Sequence, residues 1–185
     1  MRRVASFLKL FSLYLWASFS IYSFAQEAQP ADQDVLKEHM KEVVLVGSAR
    51  FRVEFWNVYD IALYAESAPY NAIPPYALEI SYLRSISKEE LVDRSIELIE
   101  AQGFDDILRL DTWQQRMLEV FPDVERGTVL TGIYTSEGQS VFYMDGLHLG
   151  TTEDPDFGQY FFDIWLGEDT SEPRMRRDLI GIMDE

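Results

Sequence analysis

Residues 43–65 read VVLVGSARFRVEFWNVYDIALYA, and their alternation decides the fold class. Every second residue from Val43 gives Leu45, Gly47, Ala49, Phe51, Val53, Phe55, Asn57, Tyr59, Ile61 and Leu63, a face apolar except for Asn57 and the phenol of Tyr59. The other face carries Arg50, Arg52, Glu54 and Asp60, with Trp56 and Tyr64 toward its end. Successive strand side chains point to opposite faces. Such alternation in β-branched and aromatic types predicts one long strand, or two strands joined at a kink near residues 47–49. One face must lie on a core. The other sets two guanidiniums among aromatics, and a function is sought there first.

Toward the N-terminus, Arg2, Arg3 and Lys9 precede a short apolar run, and Ser23-Phe24-Ala25 is a small-x-small pattern before a polar stretch. This predicts a secretory signal peptide over residues 1–25; the competing reading, a membrane anchor, is disfavoured because the run is shorter than the roughly 20 residues that span a bilayer. Residues 26–42 read as a loose N-terminal segment with one helical turn at 34–39, and residues 43–185 as a single domain. The chain has no cysteine, which excludes disulfides, thiolate chemistry and a cysteine-borne lipid anchor. A Gram-negative periplasm is the expected compartment, with no stable membrane insertion after cleavage. Beyond the leader, 13 basic residues stand against 32 acidic ones, a net charge of −19. Such a surface repels nucleic acid and anionic membrane faces alike.

Toward the C-terminus, residues 66–75 hold three prolines and read as an irregular connection. YALEISYL at 76–83 alternates as a second strand. Ser87 and Glu90 form a capping box ahead of a helix that Gly103 stops. A second helix starts at Asp105 or Asp111, where Asp111 and Gln114 repeat the capping spacing, and runs to Val120. Three short strands follow, at 128–134, 140–144 and 147–152, the last two joined by Asp145-Gly146, a strong hairpin signal. Pro155 opens an apolar helix that Gly167 stops. A last helix, Arg174 to Ile180, begins at Ser171 and Pro173 and ends at Gly181. The sum is an α+β domain with helices on one face of a five- to seven-stranded antiparallel sheet.

Three motifs stand in order: GSARFRVEFWNVYDIALYA at 47–65 with its VYxxxLY core (Val58, Tyr59, Leu63, Tyr64), YALEISYLRSISKEEL at 76–91, and FFDIWLGEDTSEPRMRRDLIG at 161–181. Together they resemble the bacterial secreted branch of the chalcone isomerase-like family, over about residues 43–181. The resemblance implies an open-faced sandwich, a large antiparallel sheet covered by helices, with a cleft for a hydrophobic small molecule. The wider family includes plant enzymes that cyclise chalcones to flavanones and relatives that bind fatty acids without catalysis. Carried over residue by residue, Arg50 or Arg52 supplies the enzymes' arginine, but Tyr59 replaces their threonine. Lys88 and Ser95 stand where a tyrosine and an asparagine belong, and Ile164 replaces a hydroxyl residue. At most one of five roles survives, which argues against chalcone cyclisation.

The expected ligand site therefore comprises Arg50, Arg52, Trp56, Tyr59 and Tyr64, with guanidiniums for a carboxylate and aromatics for an apolar tail. The favoured reading is non-catalytic binding of a fatty acid or another amphipathic carboxylate, with no cofactor and no metal. Two alternatives stand beside it. One is an isomerase or lyase using Tyr59 as acid/base with Arg50 or Arg52 at the oxyanion, although nine-residue spacing sets Tyr59 and Arg50 on opposite faces. The other is an envelope interaction protein with an empty cleft. His39 and His148 are read as surface residues, and Asp154 as a helix cap.

Overall fold

The stretch at 43–65 folds back on itself. In the computed structural model, which describes residues 33–182, it forms strands β1 (Val44–Val53) and β2 (Trp56–Ala65), paired antiparallel. The expected single strand, or kinked pair, is thus a hairpin reversing at Glu54-Phe55. That two-residue turn starts with a positive φ of 52° at Glu54, a position that favours glycine, so the sequence carries no turn signal there. Near the expected kink the chain bulges: the register shifts between Leu45 and Gly47, and again between Phe51 and Arg52.

Strands β3 (Tyr76–Tyr82), β4 (Val129–Tyr134), β5 (Ser140–Met144) and β6 (Leu147–Thr152) complete a six-stranded antiparallel sheet in sequence order. The chain between β3 and β4 supplies helices α2 (Lys88–Ala101) and α3 (Ile107–Val120); α4 (Pro155–Leu166) and α5 (Pro173–Ile180) follow β6. These four cover one face. Helix α1 (Gln33–His39) lies on the other, where Val35, Leu36 and Met40 pack on Ala77, Ile133 and Val141. That placement departs from the expectation of helices on one face only. The signal peptide and the first part of the loose segment fall outside the described residues. No helix among the described residues is long and apolar enough to cross a membrane.

Local chemistry sets the helix ends. Ser87 and Glu90 form the expected capping box of α2. Helix α3 starts one turn earlier than the Asp111–Gln114 spacing suggests, because Asp106 accepts the Arg109 N–H first. Asp154 caps α4, accepting the N–H groups of Asp156 and Phe157. Helix α5 has no side-chain cap, so Ser171 does not play that part; Pro173 sets its first turn and Gly181, at φ 78°, closes it.

The covered face holds the main core, with Ile61, Leu63, Leu78, Val92, Phe162 and Leu179 buried within it. Burying such side chains contributes about 1.5–3 kcal/mol each. Gly47 lets β1 approach α5 closely, since a Cβ there would overlap the carbonyl oxygen of Asp178. The sheet also buries polar groups: Glu79 and Thr131, opposite one another on β3 and β4, both point away from this core.

Candidate functional site

Between the sheet and helices α2, α4 and α5 lies a cavity of about 300 Å³. Its floor is built from alternate residues of neighbouring strands: Tyr59 of β2, Ile80 and Tyr82 of β3, Leu130 of β4 and Phe142 of β5. Gly132 adds no side chain to that floor. Leu91 and Leu98 of α2, Phe161 and Trp165 of α4, and Met175 of α5 form the walls and roof. The lining is thus mostly apolar, as in sites that take greasy ligands.

One polar pair interrupts it. The Trp165 Nε1–H donates to the Tyr59 hydroxyl at 3.0 Å, and the Tyr59 ring stacks on Phe51 at 5.0 Å and meets the Tyr82 edge at 6.1 Å between centroids. Burial pushes the Tyr59 phenol up to about 12, against the pull of the Trp165 N–H. Burial raises Tyr82 as well. Tyr59 is therefore a neutral phenol at physiological pH, with a proton to donate toward a ligand oxygen.

Charge gathers at the mouth. Arg84 lies two residues past the end of β3, Glu90 and Arg94 come from the first turns of α2, and Ser171 and Glu172 precede α5. Arg94 is exposed and bonds Glu97 at 2.9 Å along its own helix. Such a surface pair is weak, so the guanidinium is available to an incoming anion at little cost.

The five residues expected to bind ligand separate. Tyr59 lines the cavity. Arg50 lies on the opposite face of the sheet, held bidentately by Asp60 at 2.5 and 2.8 Å, and Arg52 lies beside it. Trp56 stands at the hairpin end with 70% of its surface exposed. Tyr64 packs on the small cluster under α1. The parity conclusion survives the change of topology, because cross-strand partners share a face: Arg50 pairs with Asp60, and Phe51 with Tyr59.

Trp165, Arg84 and Arg94 escape the sequence reading. Trp165 reads there as one member of an apolar helix stripe, and no local pattern links it to a strand 106 residues away. The arginines lie just past a strand and inside a helix, where exposed basic residues are ordinary. Of the other residues set aside, His39 Nε2 meets the Tyr143 hydroxyl at 2.9 Å, and His148 is exposed beside Thr151. Asp154, besides its cap, accepts from the Arg109 guanidinium and the Trp113 N–H. Although burial acts upward, these donors hold its carboxyl below the usual range. No cluster of metal-ligating side chains occurs among the described residues.

A family model described as chalcone isomerase-like matches residues 26–181. The chain belongs to the chalcone isomerase-like family. No curated protein matches it in sequence. Among 37 matching solved chains is a fatty-acid binding protein of Arabidopsis thaliana, with a TM-score of 0.60, 12% identity, and coverage of 76% of this chain and 87% of that one. At that identity the likeness is one of fold. In this chalcone isomerase-like protein, Tyr59, Ser95 and Ile164 line the cavity. Ser95 donates its hydroxyl to Leu91 of its own helix. Neither Lys88 nor the two outer arginines join them.

Proposed function

We propose that this protein binds an amphipathic carboxylate, such as a fatty acid, without transforming it. The apolar cavity, with Arg84 and Arg94 at its mouth beside Glu90 and Glu172, carries this reading. The acyl chain lies over Tyr82, Leu130 and Phe142, and the carboxylate meets the guanidiniums, where charge-assisted hydrogen bonds favour an anion over a neutral head group. The fold shared with a fatty-acid binding protein supports it. The site is thereby moved from the outer arginines expected from sequence to the mouth between β3 and α2. The version of an isomerase that needs Tyr59 beside Arg50 or Arg52 lacks its geometry, since the sheet stands between them.

Delipidated protein titrated with palmitic acid and with hexadecanol tests the reading. Saturable palmitate binding, weaker for hexadecanol and weakened about fivefold to tenfold in R84A and R94A, is the expected result. Equal affinity for the alcohol would overturn the carboxylate, and no uptake of either would overturn the lipid. From the leader pattern of residues 1–25 we further propose that the mature protein resides in a periplasm. Fractionation recovering a mature chain that starts at Gln26 supports this, and intact Met1 in the cytosol refutes it.

A further inference from the structure

On the face of the sheet away from the cavity, α1 covers only one half. Over the other half lies a separate groove of about 480 Å³. Its shape follows from side-chain size: Ser48, Ala62 and Ser81 are small and leave space, while Arg50 and Asp60, cross-strand partners, form a wall. Glu79 stands in this hollow, at the centre of the sheet, opposite Ala62 on β2 and Thr131 on β4. Only 4% of its surface is exposed, and its Oε2 has no hydrogen-bond partner among the described residues. A buried carboxyl oxygen without a donor is costly, by about 1–3 kcal/mol, and native structures rarely keep one without a use.

We propose that this groove is a second binding site, for a small organic ammonium ion seated on the Glu79 carboxylate. The groove carries two guanidiniums and two carboxylates, so the unpartnered Glu79 oxygen, and not net charge, selects that class. From β1 come Arg50 and Arg52, from β2 Asp60 and the phenol of Tyr64, and from β3 Glu79; in β4 the partner of Glu79 is the uncharged Thr131, with Tyr143 of β5 beyond it. Asp60 is already satisfied by Arg50, which leaves Glu79 as the carboxyl that asks for a donor. An alkylammonium group brings three N–H donors on a compact head. One reaches Glu79, the Ser81 hydroxyl, its neighbour in the groove, accepts another, and the third stays with water. Helix α1, over the adjoining half, presents His39, which is engaged with Tyr143. Burial raises the Glu79 carboxyl to about 7, so the acceptor is an anion above neutrality and an acid below it. Amine binding then displaces a proton from Glu79 in the neutral range.

The test uses the full chain with ethanolamine and putrescine as probes, read by calorimetry and by the carboxyl ¹³C resonance of Glu79. Binding at pH 8 that weakens about thirtyfold at pH 5.5, with the Glu79 titration midpoint moved downward by saturating amine, is expected. E79Q abolishes it. Because that variant changes the groove's own acid, A62L serves as a second: it fills the hollow, keeps Glu79, and is expected to block the amines while leaving palmitate uptake unchanged. Absence of amine binding at pH 8, equal binding by E79Q, or a midpoint that sodium ions move as far as the amines do overturns the proposal.

Discussion

The two faces of one sheet treat a buried polar group in opposite ways. On the covered face Tyr59 is given a partner, Trp165, by a helix laid across the strands. On the outer face the Glu79 Oε2 finds none among the described residues. Both arise from the same alternation, since Tyr82 and Ile80 point one way and Ser81 and Glu79 the other. What differs is the lid. Helices α2, α4 and α5 bring side chains that complete the covered site, whereas α1 stops short of Glu79. A polar residue in a strand is thus a neutral fact until the element above it is known.

The largest way to break this contrast is to lift the lid. G47V forces β1 away from the α5 backbone, and we expect a loss of about 3 kcal/mol in urea unfolding, together with loss of palmitate binding. The second is to neutralise Glu79. Its carboxyl is raised from 4.5 to about 7 in the folded state, so its contribution to stability is complete below pH 4.5 and is lost as pH rises through about 7. Discounting for solvent in the groove, wild type should lose about 2 kcal/mol relative to E79Q between pH 4.5 and 8, in paired denaturation curves. Parallel pH dependence of the two proteins would show that Glu79 finds a partner in solution.

A smaller effect comes from W165F, which removes the donor to Tyr59 and should cost about 1 kcal/mol. Because that N–H favours the phenolate, its loss should move the Tyr59 titration further up, visible in the ultraviolet absorbance of tyrosinate. The smallest is R50Q. The Arg50–Asp60 pair is half-exposed, so its removal should cost under about 1 kcal/mol and less in high salt. A larger loss would mean that the outer face is tied together more firmly than the covered one.

Much of the architecture was legible because it is written locally. Asp145-Gly146 announced its hairpin, and both residues do take positive φ; Ser87 and Glu90 announced α2. Glu54-Phe55 makes the same reversal without the residues that favour it, which is why the alternation reads as one strand, or as two joined near residues 47–49, and not as a hairpin turning at 54–55. Asp111 and Gln114 have capping spacing but sit inside α3, since Asp106 offers its oxygen one turn sooner. The site was harder to read. Tyr59 stands out in the sequence as a phenol among apolar residues, and it lines the cavity, on the face that parity sets opposite Arg50. The cavity itself belongs to no residue pattern: it is space left where α2, α4 and α5 rest on β2 to β5.

The meander order of the strands has a further consequence, for the kinetics of assembly. Four of the five strand pairings close over short connections, but the β3–β4 pairing must wait for the whole segment that holds α2 and α3. Loop-closure entropy makes that seam the costliest to form, so the molecule consists of two three-stranded halves stitched together along one line. Ile80 and Leu130, on the cavity floor, face each other across the seam, as do Glu79 and Thr131 on the other side. An occupant of the cavity therefore touches both halves and acts as a fastener, slowing their separation as well as lowering the energy of the joined state.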